Sequence, residues 1–540
     1  MPEHDDRADW ILHSGRVHTF DQETRGATAV ALAGGRVLAV GTDDQVLAHR
    51  GPDTRCTDLA GRTVLPGFCD THMHLIKIAQ QDHQVPVPEG ISSARELADV
   101  IGAHAPTVAA GQWLNARTSA IAPTAEQIAL GLLPDRATLD EVAPHHPVFV
   151  YQRPDRASMN SLAIATLGDF LLDEVGAENW DPETGTASGP GVRVIRERTM
   201  RYLTDDEEYA IGAVGRAGDE LAAMGITTVV DMGQPGGFLE GWTVTKKAQD
   251  RGLFRQRMRM LHHLDNRAEF AAQLALLSAS PVDPVSGDDL FRGFGLKMIL
   301  DGEFGDAWMR PGEQNGAPER HWYTVDELRQ VVQLCAEKGW PLTVHVMGGG
   351  AADAVIAVVR EIRAAGGRLE PGQITFAHGF LLDHRAMLDC VELQITVSVH
   401  PTLAHMFAAE MRRAWGPLAG RAVPIRTMID VGVRVSGGSD THPHQPLFGA
   451  ANAVTRLGAD GLTIGEHEAV SPMEALDLFT RRAGDYVSEP RIGTLRPGSF
   501  ADLTVWQDDP LQTPTEAWAA MTTTLTVVDG AVVRGNPDHL

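Results

Sequence analysis

The stretch Val64-Leu65-Pro66-Gly67-Phe68-Cys69-Asp70-Thr71-His72-Met73-His74 decides how the chain is read. An apolar run meets a Pro-Gly break, and two histidines follow at i and i+2. Side chains two apart on an extended strand share a face, so His72 and His74 can offer two imidazoles to one metal ion. Histidine is the commonest metal ligand but also a frequent bystander. The pair therefore gains its weight from the rest of the chain.

Outward from this stretch, the middle of the chain alternates. Thr324 with Glu327 three residues on is a capping box, and the helix it starts is predicted to stop at Gly339. Pro341–His345 follows as a strand, Ala351–Ala365 as a helix ended by Gly366-Gly367, and Ile374–His378 as a strand. This rhythm implies parallel strands joined by crossover helices. Eight candidate strands can be placed: Val64–Cys69, Thr227–Asp231, Gln256–Leu261, Gly295–Leu300, Pro341–His345, Ile374–His378, Gln394–Val399 and Arg434–Ser439. The expected class is α/β, a (β/α)8 TIM barrel. The segment from about Lys77 to Arg198 is too long for one connection. It is expected to be an insertion after barrel strand 1, with its own helices and a strand at Val148–Tyr151.

Both ends of the chain read as β. Ile11–His13, Val17–Phe20, Ala29–Leu32 and Val37–Val40 are short apolar runs parted by glycines, and Asp529-Gly530 is a hairpin signal between Leu525–Val528 and Ala531–Val533. The expected organisation is a small β-sandwich domain built from residues 1–63 and 489–540, and a barrel over 64–488 with the insertion at about 77–198.

Active sites of such barrels lie at the C-terminal ends of the strands. The first candidate strand ends in His72 and His74, the fourth carries Lys297, the fifth ends at His345 and the sixth at His378. The eighth runs through Gly437-Gly438-Ser439 into Asp440. Four histidines and an aspartate on one rim predict a metal site, since imidazole and carboxylate suit zinc-like ions.

The totals narrow the partners. A formal net charge of -25 disfavours nucleic acid and anionic membrane surfaces, which reward basic patches. Cys56, Cys69, Cys335 and Cys390 are scattered and form no CxxC pair, so no disulfide framework is expected. Met1–Trp10 holds no apolar signal core, and no apolar stretch is long enough to span a bilayer, so a cytoplasmic location is expected. No glycine-rich nucleotide loop and no GxSxG elbow is present.

Seven segments carry a family resemblance: LPGFCDTHMHL (65–75), GITTVVDMG (225–233), GLKMILDGEFG (295–305), LTVHVMG (342–348), ITFAHG (374–379), VSGGSDTHP (435–443) and IGTLRPGSFADLTV (492–505). The chain resembles the amidohydrolase superfamily, and within it amidohydrolase family 3, which includes N-substituted formamide deformylase-like metal-dependent hydrolases. The resemblance implies that His72 and His74 bind one divalent metal, zinc or another, together with Asp440, and that His345 and His378 bind a second. It also implies that Lys297, carboxylated by CO2, bridges the two ions. A free ammonium is no ligand, whereas a carbamate oxygen is. The rival readings are a single-metal site and a structural ion pair of Lys297 with Asp301 or Glu303.

The expected reaction is hydrolysis of a non-peptide C–N bond, an amide or N-formyl group of a small organic molecule, by a metal-activated hydroxide, with Asp440 as general base and then general acid. A cyclic-amide hydrolase or deaminase using the same centre is one alternative, and a non-catalytic metal-containing binding protein another. The resemblance also allows a homodimer. Departures from the family fall at Gly348-Gly349-Gly350, at Glu303 and at His400-Pro401, where a glutamine is common. Trp113, Arg153, Asn160, Glu303, Trp308, His400, His405 and His442 are the candidate substrate contacts, each with an ordinary loop or core role as its alternative.

Overall fold

Gly67 divides the expected first strand in two. Thr63–Pro66 pairs with Leu503–Trp506 in one sheet, and Phe68–Met73 opens another. A Cβ at Gly67 would collide with the Thr227 side chain, so glycine lets the backbone pass from one sheet to the next at this close approach. The expected strand Val64–Cys69 is corrected accordingly: its halves belong to different sheets, and the barrel strand extends on to Met73.

The computed structural model describes residues 7–540 apart from 22–23, 25, 80–83, 89, 119–130, 153–155, 177, 202–205, 235–236, 265–268 and 314–318. Eight strands form one parallel sheet: β1 (Phe68–Met73), β2 (Ile226–Asp231), β3 (Arg257–His263), β4 (Phe291–Ile299), β5 (Leu342–Val346), β6 (Ile374–His378), β7 (Thr396–Val399) and β8 (Arg434–Gly437). They pair in chain order from β1 to β8. β1 and β8 come together at the seam: Thr71 Oγ1 donates to the Gly437 carbonyl at 2.9 Å and the Asp440 amide donates to the His72 carbonyl at 2.7 Å. The result is a nearly closed parallel barrel. β1, β2, β6 and β7 are buried at every position, which explains why they read as continuous apolar runs rather than alternating ones.

The crossover helices follow their sequence signals. Val325–Lys338 is capped by Thr324 in a two-sided capping box with Glu327 and ends on Gly339 in the left-handed conformation. Its Leu328, Val331, Val332 and Cys335 form one buried stripe at helical spacing. The next helix spans Gly349–Ala364 and leads through Gly366 to β6.

Two further sheets arise from the chain ends. Ala8–His13, Ala29–Ala33, Arg36–Gly41 and Arg50–Asp58 make a four-stranded sheet; Arg16–Val17, Thr63–Pro66, Leu503–Trp506, Thr523–Val528 and Ala531–Arg534 make a five-stranded one. Trp10, Leu12, Val30 and Leu32 of the first share a buried cluster with Val64, Leu503, Val505, Leu525 and Val527 of the second. Asp529 and Gly530 both take positive φ at the C-terminal hairpin. Val17–Phe20 contributes only Val17 to a strand, paired with Val64.

By the density of its contacts the chain divides into Met1–Leu75 with Gly215–Leu540, and Ile76–Val214. The second unit holds its own five-stranded sheet, ordered Trp180–Asp181, Thr186–Ser188, Arg156–Met159, Val148–Gln152 and Leu114–Arg117. Among the described residues no helix is long and apolar enough to cross a membrane.

A buried ion pair ties the barrel to the start of the strand Leu503–Trp506, and Asp529 of the C-terminal hairpin lies 2.9 Å from the same guanidinium. The Arg257 side chain is 0% exposed; its Nε donates to Asp502 Oδ2 at 2.6 Å and its Nη2 to Asp502 Oδ1 at 3.0 Å. The guanidinium lies 3.5 Å from the Phe500 ring centroid. Removing Asp502 leaves the buried guanidinium only the half-exposed Asp529, 2.9 Å from its Nη2, a larger loss than that of an exposed pair. Asp502→Ala is therefore expected to destabilise the protein by up to about 3 kcal/mol in denaturant titrations, less than a fully unpaired buried charge would cost. Replacing Asp99, paired with Arg95 on the surface, should leave stability nearly unchanged.

Candidate metal centre

The rim of the barrel gathers six predicted residues from five strand ends. His72 lies inside β1 and His74 one residue beyond it; Lys297 lies in β4, His345 in β5 and His378 ends β6; Asp440 follows β8. His72, Lys297 and His378 are buried, and His74, His345 and Asp440 nearly so.

Two of the histidines converge on one carboxylate oxygen. His72 Nε2 lies 3.3 Å and His74 Nε2 3.4 Å from the same oxygen, Asp440 Oδ1. His74 Nδ1 donates to the Gly233 carbonyl at 3.1 Å, and a carbonyl can only accept. In a neutral His74 the proton is thus on Nδ1, and Nε2 presents a lone pair to a carboxylate oxygen. A cation between them would satisfy both, in place of the proton that otherwise bridges them. Donor atoms bound about 2.0–2.1 Å from one tetrahedral ion lie about 3.3 Å apart.

His345 repeats the arrangement. Its Nε2 donates to the Gly302 carbonyl at 3.0 Å, which leaves Nδ1 as the lone-pair nitrogen. Its ring lies 4.4 Å from that of His378, and His378 lies 5.1 Å from His72, centroid to centroid. His72, His378 and Asp440 each offer a ligand atom within 4.8 Å of the others. The Nδ1 atoms of His72 and His378 are buried without a hydrogen-bond partner among the described residues.

Burial keeps the imidazoles of His72, His345 and His378 neutral. It lowers His72 and His378 well below the ordinary histidine range and, with the Lys297 charge adding to it, brings His345 down to about 4. Burial alone would raise Asp440, but the imidazoles of His72, His74 and His378 outweigh it and hold the carboxyl well below its usual range. Neutral imidazoles and an ionised carboxylate are the states that bind metal. The backbone also marks the site: His378 and Asp440 adopt φ of 79° and 60°, a left-handed conformation that strains non-glycine residues.

A family model described as amidohydrolase family matches residues 55–534. The chain belongs to the amidohydrolase family. It is a metal-dependent hydrolase of that type. It is 26% identical, over 97% of its own length and 98% of the relative's, to the N-substituted formamide deformylase of Arthrobacter pascens. Its fold is that of an uncharacterized metal-dependent hydrolase from Pyrococcus horikoshii OT3, with a TM-score of 0.78, 18% identity, and coverage of 94% of this chain and 99% of the other. It is also similar to the atrazine chlorohydrolase of Arthrobacter aurescens TC1, solved with zinc, at a TM-score of 0.53 and 17% identity over 98% of this chain and 96% of the other.

Two carboxylates hold the rim of this amidohydrolase in place. Asp70 Oδ1 accepts from the amides of His72 and Ser439, both at 3.0 Å, and so joins β1 to the segment after β8. Asp301 accepts from the amides of Trp308, Met347 and Gly348 at 3.2, 3.0 and 2.8 Å, and so joins the segments after β4 and β5. Burial pushes both carboxyls up to about 7, against these hydrogen bonds. The sequence reading assigned Asp70 no role and Asp301 only a rival ion pair. Asp70 was visible in principle, since it sits two residues before His72 on the same strand face. His444 was also missed: it is 5% exposed, and its Nδ1 meets Ser439 Oγ at 3.0 Å.

The candidate substrate contacts divide. His400 is buried, with its ring 4.5 Å from both His72 and His378. The Trp308 ring centroid lies 4.1 Å from that of His321, the planes tilted by 37°, and His442 is exposed on the segment after Asp440. Glu303 is exposed, as expected of a loop residue. His405 Nδ1 is bound to the Leu457 carbonyl at 2.6 Å. Asn160 is fully buried as the N-cap of Ser161–Leu167, its side chain bound to the backbone of Val148, Ala163 and His146. Trp113 packs in the cluster of Phe149, Met159 and Leu171. Core packing and capping thus account for Asn160 and Trp113. Arg153 lies outside the described residues.

Gly438 fixes how closely the two seam segments approach. A Cβ there would stand 2.7 Å from the His72 amide nitrogen, an atom that cannot move without disturbing β1. Gly438→Ala is expected to lower bound metal at least tenfold by elemental analysis, with far-ultraviolet circular dichroism unchanged.

Proposed function

We propose that this amidohydrolase hydrolyses an amide or N-formyl C–N bond of a small organic molecule, with His72, His74, His345, His378 and Asp440 holding divalent metal. In this reading the metal is zinc, two ions are held, and carboxylated Lys297 bridges them. The observation that carries the reading is the pair of imidazole nitrogens facing one Asp440 oxygen, with the His74 proton already given to Gly233. Similarity along nearly the whole chain to a protein named as a formamide deformylase supports the N-formyl substrate class.

The bound divalent metal would supply a water of lowered pKa and a polarised carbonyl. The chain's own residues do the rest. Asp440, held ionised, accepts a proton from the attacking water as its oxygen adds to the carbonyl carbon. The same carboxyl then gives that proton to the leaving nitrogen as the C–N bond breaks, releasing an acid and an amine. Asp70 keeps the backbones of His72 and Ser439 in register for this transfer, and Asp301 does so between the segments after β4 and β5.

For the rest of the molecule, we propose that the two end-derived sheets form one small β-sandwich, residues 1–63 and 489–540, flanking a barrel over 64–488. Cys69, Cys335 and Cys390 are buried free thiols, a pattern that fits a reducing compartment such as the cytoplasm.

N-formylamines, N-acylamines, cyclic ureides and amidines, assayed side by side, separate the substrate classes. The expected result is amine and formate or another carboxylate, with Asp440→Asn lowering kcat by about 10²–10⁴-fold. Ammonia release without an acid would replace this reading with a deaminase.

A further inference from the structure

Asp440 stands in a strained turn. Its φ of 60° is a left-handed conformation that a residue with a side chain keeps only where its surroundings hold it. β8 ends at Gly437, and the next helix is Pro446–Thr455, so Asp440 belongs to the segment between them. The chain before it is tied to β1 twice. The Ser439 amide donates to Asp70 Oδ1 at 3.0 Å, and the Asp440 amide donates to the His72 carbonyl at 2.7 Å. Both contacts lie on the amide side of the strained bond. They do not fix the rotation about it.

Two contacts cross that bond. The Thr441 amide donates to the Ser439 carbonyl at 2.7 Å. His444, four residues on, turns back so that its Nδ1 lies 3.0 Å from Ser439 Oγ. The imidazole is 5% exposed, and its Nε2 is buried without a hydrogen-bond partner among the described residues. An unmet ring nitrogen is unfavourable in a buried place, so packing alone favours an apolar side chain here. What the imidazole adds over an apolar group is the bond from Nδ1 to Ser439.

We propose that His444 is a positioning residue for Asp440: its hydrogen bond to Ser439 closes the strained turn and fixes where the Asp440 carboxylate points. The proposal rests on the reading of Asp440 as a metal ligand and proton carrier. His444 needs no contact with metal or substrate for this role. Without it, the segment after Asp440 is free to relax toward an ordinary φ. With the amide side held by Asp70 and His72, that rotation swings the carboxylate away from the Nε2 atoms of His72 and His74, which lie 3.3 and 3.4 Å from Oδ1. Only the δ nitrogen is used, so asparagine, which carries polar atoms at the δ position, can stand in for histidine.

The test uses full-length protein stripped with chelator and reloaded with Co(II), whose visible bands report the arrangement of the ligands. His444→Leu and Ser439→Ala are expected to shift the bands. With an N-formylamine or N-acylamine that the parent turns over, they are expected to lower kcat at least tenfold with KM within threefold. His444→Asn is expected to keep the parent's bands and a kcat within threefold. The double variant should be no slower than Ser439→Ala alone, since both changes remove the same bond. A packing role predicts the opposite order, with His444→Leu like the parent and the smaller, polar His444→Asn impaired. That order, or parental bands in folded His444→Leu and Ser439→Ala, would overturn the role of His444 and leave the metal centre standing. If His444→Leu fails to fold, Ser439→Ala, which keeps its amide bond to Asp70, decides; if the parent turns over no amide, the Co(II) bands decide. Absence of Co(II) binding by the parent would overturn the metal centre and the role of His444 with it.

Discussion

Everything at the rim depends on how β1 meets β8. The two strands carry His72, His74 and Asp440 between them, and they are the first and last of eight. No continuous ladder joins them. Instead the Asp70 carboxylate takes one amide from each side, the Asp440 amide returns a hydrogen bond to the His72 carbonyl, and Gly438 lets the backbones touch. Each contact acts on the backbone of a residue that faces the centre or its neighbour. Closure of the barrel and assembly of the candidate metal site are therefore one event.

A second constraint acts on the imidazoles. A histidine binds metal through one nitrogen, and the other nitrogen's hydrogen bond decides which. Backbone carbonyls decide it here: Gly233 claims the Nδ1 proton of His74, and Gly302 claims the Nε2 proton of His345. Both carbonyls lie at strand ends, so the fold that brings the histidines together also sets which nitrogen each presents. Asp440 stays ionised because its neighbours outweigh the cost of its burial. The left-handed backbone at His378 and Asp440 is strain that the packed rim holds in place.

Much of the barrel was legible because its strands are buried on both faces and its helices carry caps. Ile374–His378 matched its strand residue for residue, and Thr324 with Glu327 marked a helix start. Arg50–Asp58 was not legible: it is a polar edge strand paired only with Ala8–His13, so most of its side chains face water and no apolar alternation betrays it. The division at Gly67 was hidden because the apolar run continues across it while the sheet partner changes. At the site, residue types at strand ends pointed to the six rim residues. The clamps formed by Asp70 and Asp301 were less visible, since a carboxylate bound to backbone amides leaves no pattern of spacing. Asn160 and Trp113, candidate contacts with a loop or core role as the alternative, lie in a helix cap and a core cluster.

The most direct test of the central claim is an anomalous-scattering map at the zinc absorption edge from crystals of zinc-loaded protein. A peak bounded by the nitrogens of His72 and His74 and the carboxylate of Asp440 is the predicted result. A map with no peak at the rim, or with zinc bound at a distant surface and these side chains meeting only each other, would contradict it.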